Sequence, residues 1–258
     1  MFVIRREQMD AFRAAALRSF EDEMVEHLAT FSPPLFKAVG EEQMRKAIRL
    51  GITRADGYGF THRGPVRLYL ELMLLFGSHF DTDPQYPWAN QVLTNRDALP
   101  QMQRAERLYD LTMDYRAKVA GAEDAYTLRA LRNIAAFARQ PLTISSEDFV
   151  PAMLHEIAMI YPEKAAYVGD QNLSSLIRKA MDGARIQRFS TTREMALVVV
   201  LMIAFGHGCG ADPLYPWIAR TLKDEAIVDP AARAMRLKKK ALTWLEHVLA
   251  HFEKGAEA

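Results

Sequence analysis

The chain spells DPQYPW at Asp83–Trp88 and DPLYPW at Asp212–Trp217, so a word with two prolines, a tyrosine and a tryptophan returns after half the chain's 258 residues. Sliding the sequence along itself by 129 positions brings Pro33 onto Pro162, Val39-Gly40 onto Val168-Gly169 and Ile48-Arg49 onto Ile177-Arg178. It also brings Phe60 onto Phe189, Leu72-Met73 onto Leu201-Met202 and Phe76-Gly77 onto Phe205-Gly206. Between Phe31–Leu93 and Ile160–Leu222 there are 18 identities in 63 ungapped positions. A self-match of that length at a fixed spacing is the mark of an internal duplication. The chain is therefore expected to hold two similar units, residues 1–121 and 141–258, with a connecting helix over 122–140. At the front, FVIRREQMDAF (Phe2–Phe12) aligns with LTISSEDFVPA (Leu142–Ala152) at an offset of 140. That shift gives the first unit's opening helix about 11 extra residues, three turns of helix.

Each unit reads as helices. Met9, Phe12, Ala16, Phe20, Met24 and Leu28 fall at three- and four-residue spacings, one apolar stripe along Gln8–Phe31. Pro33-Pro34 ends it, and Met44, Ile48 and Ile52 continue the pattern over Glu41–Asp56. Thr61 and Ser190 are placed to start the central helices, with a capping box between Thr191 and Glu194; Gly77 and Gly206 are placed to end them. The aspartate of each DPxYPW favours a turn, and its second proline suits the first turn of a short helix, Pro87–Leu93 or Pro216–Leu222. Long final helices follow over Ala98–Val119 and Pro230–Phe252. No segment alternates with period two. The expected fold is all-α: two tandem duplicated helical bundle units joined by a connecting helix. In that fold Asp83, Tyr86 and Trp88, with Asp212, Tyr215 and Trp217, form structural corners, since aromatic side chains beside prolines anchor cores. The competing reading makes the two hexapeptides paired ligand sites.

The formal net charge is +1, which provides no overall field for nucleic acid or a membrane surface. The longest apolar run, Met195–Phe205, is 11 residues, short of the roughly 20 that span a bilayer, and reads as a buried helix. Cys209 is the one cysteine, and no secretory pattern follows Met1. A cytoplasmic location is the expectation, with neither nucleic acid nor membrane among the partners.

The two copies differ most along the central helix, PVRLYLELMLLFGSHFD in the first and EMALVVVLMIAFGHGCG in the second. Arg67 is replaced by Ala196, Glu71 by Val200, His79 by Gly208 and Asp81 by Gly210. A helix apolar all round must be covered on every side, by the other unit or by a homodimer contact. The first copy keeps Arg67 and Glu71 at an i,i+4 spacing, which forms either a solvated ion pair or a recognition face, with Glu71 as a group of raised pKa. Arg67, Glu71, His79 and Asp81 are the candidate partner-binding residues.

Other candidates for chemistry are incomplete. His247 and His251 lie four apart without a third ligand at a matching spacing, so no metal is assigned. His207 and Cys209 in GHGCG lack a third catalytic group and read as a small-residue turn. Gly57-Tyr58-Gly59 reads as a helix-ending turn rather than a phosphate loop. The carboxylates Glu21, Asp22, Glu23 and Glu26 before His27 read as a solvated face. Arg233, Arg236 and Lys238–Lys240 make the last helix basic, without the stacking aromatics of a nucleic-acid surface. No cofactor is implied.

FVIRREQMDAF, the FEDEMVEHL that continues it and DTDPQYPWA together resemble bacterial proteins encoded beside type VI secretion spikes and their toxins, over Met1–Leu93. The resemblance implies a partner of a secreted toxin or spike component, acting as immunity protein, chaperone or adaptor, and supplies no catalytic residues. The leading expectation is a non-enzymatic protein-binding scaffold. The alternatives are a small-molecule or metal-binding protein with its site between the aromatic corners, and an enzyme or toxin using dispersed carboxylates and histidines.

Overall fold

A computed structural model describes residues 6–140 and 144–256 as thirteen α-helices with no strand. The first half runs α1 (Arg6–Phe31), α2 (Pro33–Val39), α3 (Glu41–Gly57), α4 (Arg63–Phe76), α5 (Pro87–Thr94) and α6 (Gln101–Tyr115). After α7 (Ala125–Arg139) come α8 (Phe149–Ile160), α9 (Pro162–Val168), α10 (Asp170–Ile186), α11 (Thr192–Phe205), α12 (Pro216–Leu222) and α13 (Pro230–Ala256). The bounds of α2 and α9, α3 and α10, and α4 and α11 differ by 129 at both ends. Gly40 and Gly169 turn at φ 80 and 79, and Gly77 and Gly206 at φ 91 and 86, left-handed values that glycine adopts without a Cβ penalty. None of the described helices is long and apolar enough to cross a membrane.

Local chemistry explains the helix ends. α11 is capped by Thr191, not Ser190: the Thr191 hydroxyl accepts from Glu194 N, while the Glu194 carboxylate accepts the N–H groups of Ser190 and Thr191. In the first half α4 starts after His62, and Thr61 is instead held by the Gln101 side chain, which accepts its N–H and donates to its hydroxyl. α6 starts at Gln101 rather than Ala98, with Pro100 as its N-cap, and continues into a π-helical stretch over Arg116–Ala120.

The opening helix departs from the expectation. α8 begins 129 residues after Phe20, and Phe20/Phe149, Met24/Met153 and Leu28/Ile157 are all buried. The 129 spacing therefore continues through the first helix and needs no shift to 140; Phe2–Arg5 and Leu142–Thr143 of that alignment lie outside the described residues. The excess of α1 is its N-terminal part, Arg6–Ser19, about four turns and roughly 21 Å long. Met9, Phe12 and Ala16 are exposed, so the apolar stripe of α1 enters the core only from Phe20 onward.

The main core is shared between the halves: Met24, Ile48, Tyr69 and Leu70 belong to the same cluster as Leu201, Phe205, Tyr215 and Leu245, with Ala130 and Ile134 of α7. A second cluster, including Phe149, Met153, Leu173 and Val199, lies within the second half. No residue from Met195 to Phe205 is exposed: Ala196, Val199, Leu201, Ile203 and Phe205 are buried and the rest of the stretch is half-buried. The 129 spacing also reaches past Leu93, because RAERL (Arg104–Leu108) on α6 meets RAMRL (Arg233–Leu237) on α13. Arg104 donates to the carbonyls of Tyr58, Leu93 and Leu99, and Arg233 donates to that of Ile227.

Candidate functional site

The aspartate of each DPxYPW reaches the glycine turn of the other half. After α4 the chain turns at Gly77, and the Asp83 carboxylate accepts from Gln85 N at 2.8 Å; after α11 it turns at Gly206, and Asp212 accepts from Leu214 N at 2.8 Å. The other carboxylate oxygens reach across. Asp83 Oδ2 accepts His207 N at 2.6 Å, and Asp212 Oδ2 accepts Ser78 N at 2.7 Å. Ser78 and His207 are themselves 129 apart, so the halves exchange the same bond about an approximate twofold axis. The Ser78 hydroxyl adds a bond to Asp212 Oδ1 at 2.6 Å. Both aspartates are buried, each accepting backbone N–H groups from both turns. A Cβ at Gly77 would lie 2.7 Å from the Phe205 carbonyl oxygen, and one at Gly206 would lie 3.0 Å from that of Phe76. The close approach requires glycine on both sides.

The aromatic corners also correspond. Phe76 packs on Tyr86, Trp88 and Tyr115 with centroids 4.5, 6.0 and 5.3 Å away. Phe205 packs on Tyr215, Trp217 and Trp244 at 4.7, 5.7 and 4.6 Å. Tyr115 and Trp244, on the long last helices, complete each corner. Neither stood out in the sequence, although the RAxRL match nearby fixes their register.

The four candidate partner-binding residues fall into three places. Arg67 donates to Glu71 at 3.0 Å, and Glu71 also meets His27 of α1 at 2.7 Å. Asp81 is buried and takes both its bonds from Arg54 Nη2, at 2.5 and 2.7 Å. His79 faces His207 across the junction, ring to ring at 6.1 Å; burial, and then the Arg54 charge, hold its pKa below the ordinary value. The expected solvated face of α1 is also divided: Asp22, Glu23 and Glu26 are exposed, whereas Glu21 is buried. Glu21 accepts from Arg49 at 2.8 and 2.9 Å and from Arg45 at 3.2 Å, and the Arg49 bond is the largest cause of its lowered pKa.

Cys209 is buried in its turn, and burial pushes its thiol up to about 12, which holds it protonated. Among the described residues no cluster of three His, Cys, Asp or Glu side chains forms a metal site. The residue that sequence reasoning missed is Lys164 of α9. It is buried, donates to Ile203 O at 3.1 Å and lies 5.6 and 5.9 Å from the ring centroids of Tyr86 and Tyr161. Burial pulls it down to about 8, against the opposing pull of Asp83. Lys164 borders a cavity of about 180 Å³ between the corners, together with Tyr86, Tyr115, Tyr161 and Tyr215. The lysine at position 164, where the first half has Leu35, was the available signal. No family model, curated protein or solved structure matches the chain.

Proposed function

We propose that the chain is a non-enzymatic protein-binding scaffold grown from a duplicated helical unit, with the Arg6–Ser19 extension of α1 as its docking element. The observation carrying this reading is that extension: it has no counterpart in α8, and every described side chain from Gln8 to Ser19 is exposed. The extension propagates from the core-packed Phe20–Phe31 of the same helix and needs no new nucleus, so its apolar side chains stand ready for a partner surface to cover. Met9, Phe12 and Leu17 would each contribute about 1.5–3 kcal/mol on burial in a groove. The exposed Met102, Met113, Met159 and Met235 add adaptable apolar surface. The duplication is supported by the matched helix bounds, the paired glycine turns and the reciprocal Asp83 and Asp212 bonds.

The resemblance of Met1–Leu93 to bacterial proteins encoded beside type VI secretion spikes supports a secreted effector as the class of partner, bound in the cytoplasm as immunity protein, chaperone or adaptor. The test is capture of the tagged chain from its native host, beside a Met9→Glu/Phe12→Glu/Leu17→Glu variant. The expected outcome is a stoichiometric effector or spike component on the wild type and its loss from the variant, with thermal stability unchanged. Recovery of the wild type alone where a control complex survives overturns the reading, as does equal capture by the variant. A second reading, a small-molecule-binding protein, is favoured by the cavity beside Lys164.

A further inference from the structure

We propose that the second half carries a binding pocket for a small, uncharged, apolar molecule of aromatic size, in the slot that the first half fills with its own side chains. The proposal rests on the positional correspondence of the halves and is independent of the docking role of α1. In the first half the space between α3, α4 and the turn after α4 holds large side chains. Arg54, half-buried, pairs there with the buried Asp81, and Tyr69 packs on Phe80 with centroids 4.9 Å apart. The residues 129 positions later are all smaller: Gly183 for Arg54, Gly210 for Asp81, Val198 for Tyr69 and Cys209 for Phe80. Those four residues border a pocket of about 300 Å³ in the second half.

The lining also includes residues larger than their counterparts, Ile186 for Gly57, His207 for Ser78 and Ile218 for Ala89. Ile186 is exposed while Leu201, Cys209, Ile218 and Leu237 are buried, so the space is a slot open to solvent with an apolar floor that an occupant can cover. The glycines are not there for the backbone. Neither Gly183 nor Gly210 has a left-handed φ. A Cβ at Gly183 would meet its nearest atom, Met202 Cε, at 3.6 Å, and one at Gly210 would meet Leu222 Cδ1 at 3.4 Å. Gly51 in α3 is the contrast, since a Cβ there would come within 2.3 Å of Leu70. A glycine inside a helix costs about 1 kcal/mol relative to alanine, and at Gly183 the close packing that would explain it is missing. What the small residues provide is room.

The chemistry of the lining sets the ligand class. Both charges of the Arg54–Asp81 pair are lost together, leaving apolar walls that include Val198, Leu201 and Met202. The Cys209 thiol is held protonated by burial, and Gln187 and His207 are the polar groups of the lining. No Lys, Arg, Asp or Glu is in the lining, so a charged ligand would lose water there without one of those side chains to replace it. An apolar cavity of about 150 Å³ accepts benzene, and the larger pocket suits a bicyclic ring such as indole.

The test titrates indole and indole-3-carboxylate into the full chain and follows the Met202 and Val198 methyl resonances by NMR. Indole is expected to shift both methyls with a single-site isotherm, and the carboxylate to bind at least about tenfold more weakly, a difference of about 1.4 kcal/mol. The Gly183→Arg/Gly210→Asp variant restores the first half's ion pair and is expected to abolish the shifts. Val198→Tyr, which restores one ring, serves where the double variant does not fold. Methyls unmoved by indole, equal binding of the two probes, or unchanged indole binding by the folded refilled variant would each overturn the proposal.

Discussion

Asp83 and Asp212 each satisfy donors in their own turn and in the other half's turn, so each carries both a local bend and a long-range contact. Asp83→Ala would leave His207 N–H and Gln85 N–H without their acceptor, whereas Gln85 Nε2 keeps its bond to the Met202 carbonyl. Stranded buried donors cost about 1–3 kcal/mol each, and partial relaxation makes an overall loss of about 3–5 kcal/mol the expectation in urea titration. A loss below about 1 kcal/mol would mean that water replaces the carboxylate. The repeated hexapeptide announced a turn and an aromatic anchor, and both are present. It could not announce that its aspartate reaches 124 residues along the chain to His207, because only the opposition of the two turns brings that N–H near. Glu21 shows the same limit, since charge in a sequence does not reveal which carboxylate of a cluster is buried beneath two arginines.

At the scale of elements, the turns after α4 and α11 meet near their own symmetry axis, where corresponding positions compete for one space. His79 and Gly208 are such a pair. A Cβ at Gly208 would lie 2.4 Å from His79 Nδ1 and 2.8 Å from its Cβ. One position can be large only when the other is small, which explains the histidine at 79 opposite the glycine at 208. Gly208→Ala is expected to destabilise the chain by about 1–3 kcal/mol, as overpacking does, and His79→Ala in the same chain is expected to relieve most of that loss. Additive effects in the double-mutant cycle would disprove the competition. α1 and α8 differ in another way: their core-facing residues correspond from Phe20 onward, and only α1 extends beyond them. The three-to-four spacing of Met9, Phe12 and Ala16 correctly gave a helix, but periodicity is silent on whether a stripe meets a partner.

For the whole molecule, the main core contains residues of both halves and of α7, so the halves are expected to unfold together. The tryptophans Trp88, Trp217 and Trp244 all lie at the aromatic corners; their fluorescence reports the junction, while far-UV circular dichroism reports every helix. Coincident transitions by the two probes in guanidinium are expected. A junction transition that precedes loss of helix would show that the second half persists on its internal cluster around Phe149 and Val199. Residues 1–121 alone would expose Phe76 and Tyr86 where Phe205 and Tyr215 share their core, and are expected to aggregate or remain unfolded.

The sequence by itself determined the all-helical class, the 129-residue correspondence, the glycine turns, the capping box of α11 and the aromatic anchors. Each of these follows from local dihedral preference or from short-range periodicity, which are written along the chain. Tertiary structure alone decided that the aspartate of each hexapeptide bonds the residue after the other half's glycine turn, that Lys164 is buried among tyrosines, and that α1 extends beyond the core. It also decided that Gly183, Val198, Cys209 and Gly210 share one pocket. Those properties depend on which side chains fold brings together from distant positions, and on how much space they leave, and neither quantity is a function of neighbours in sequence.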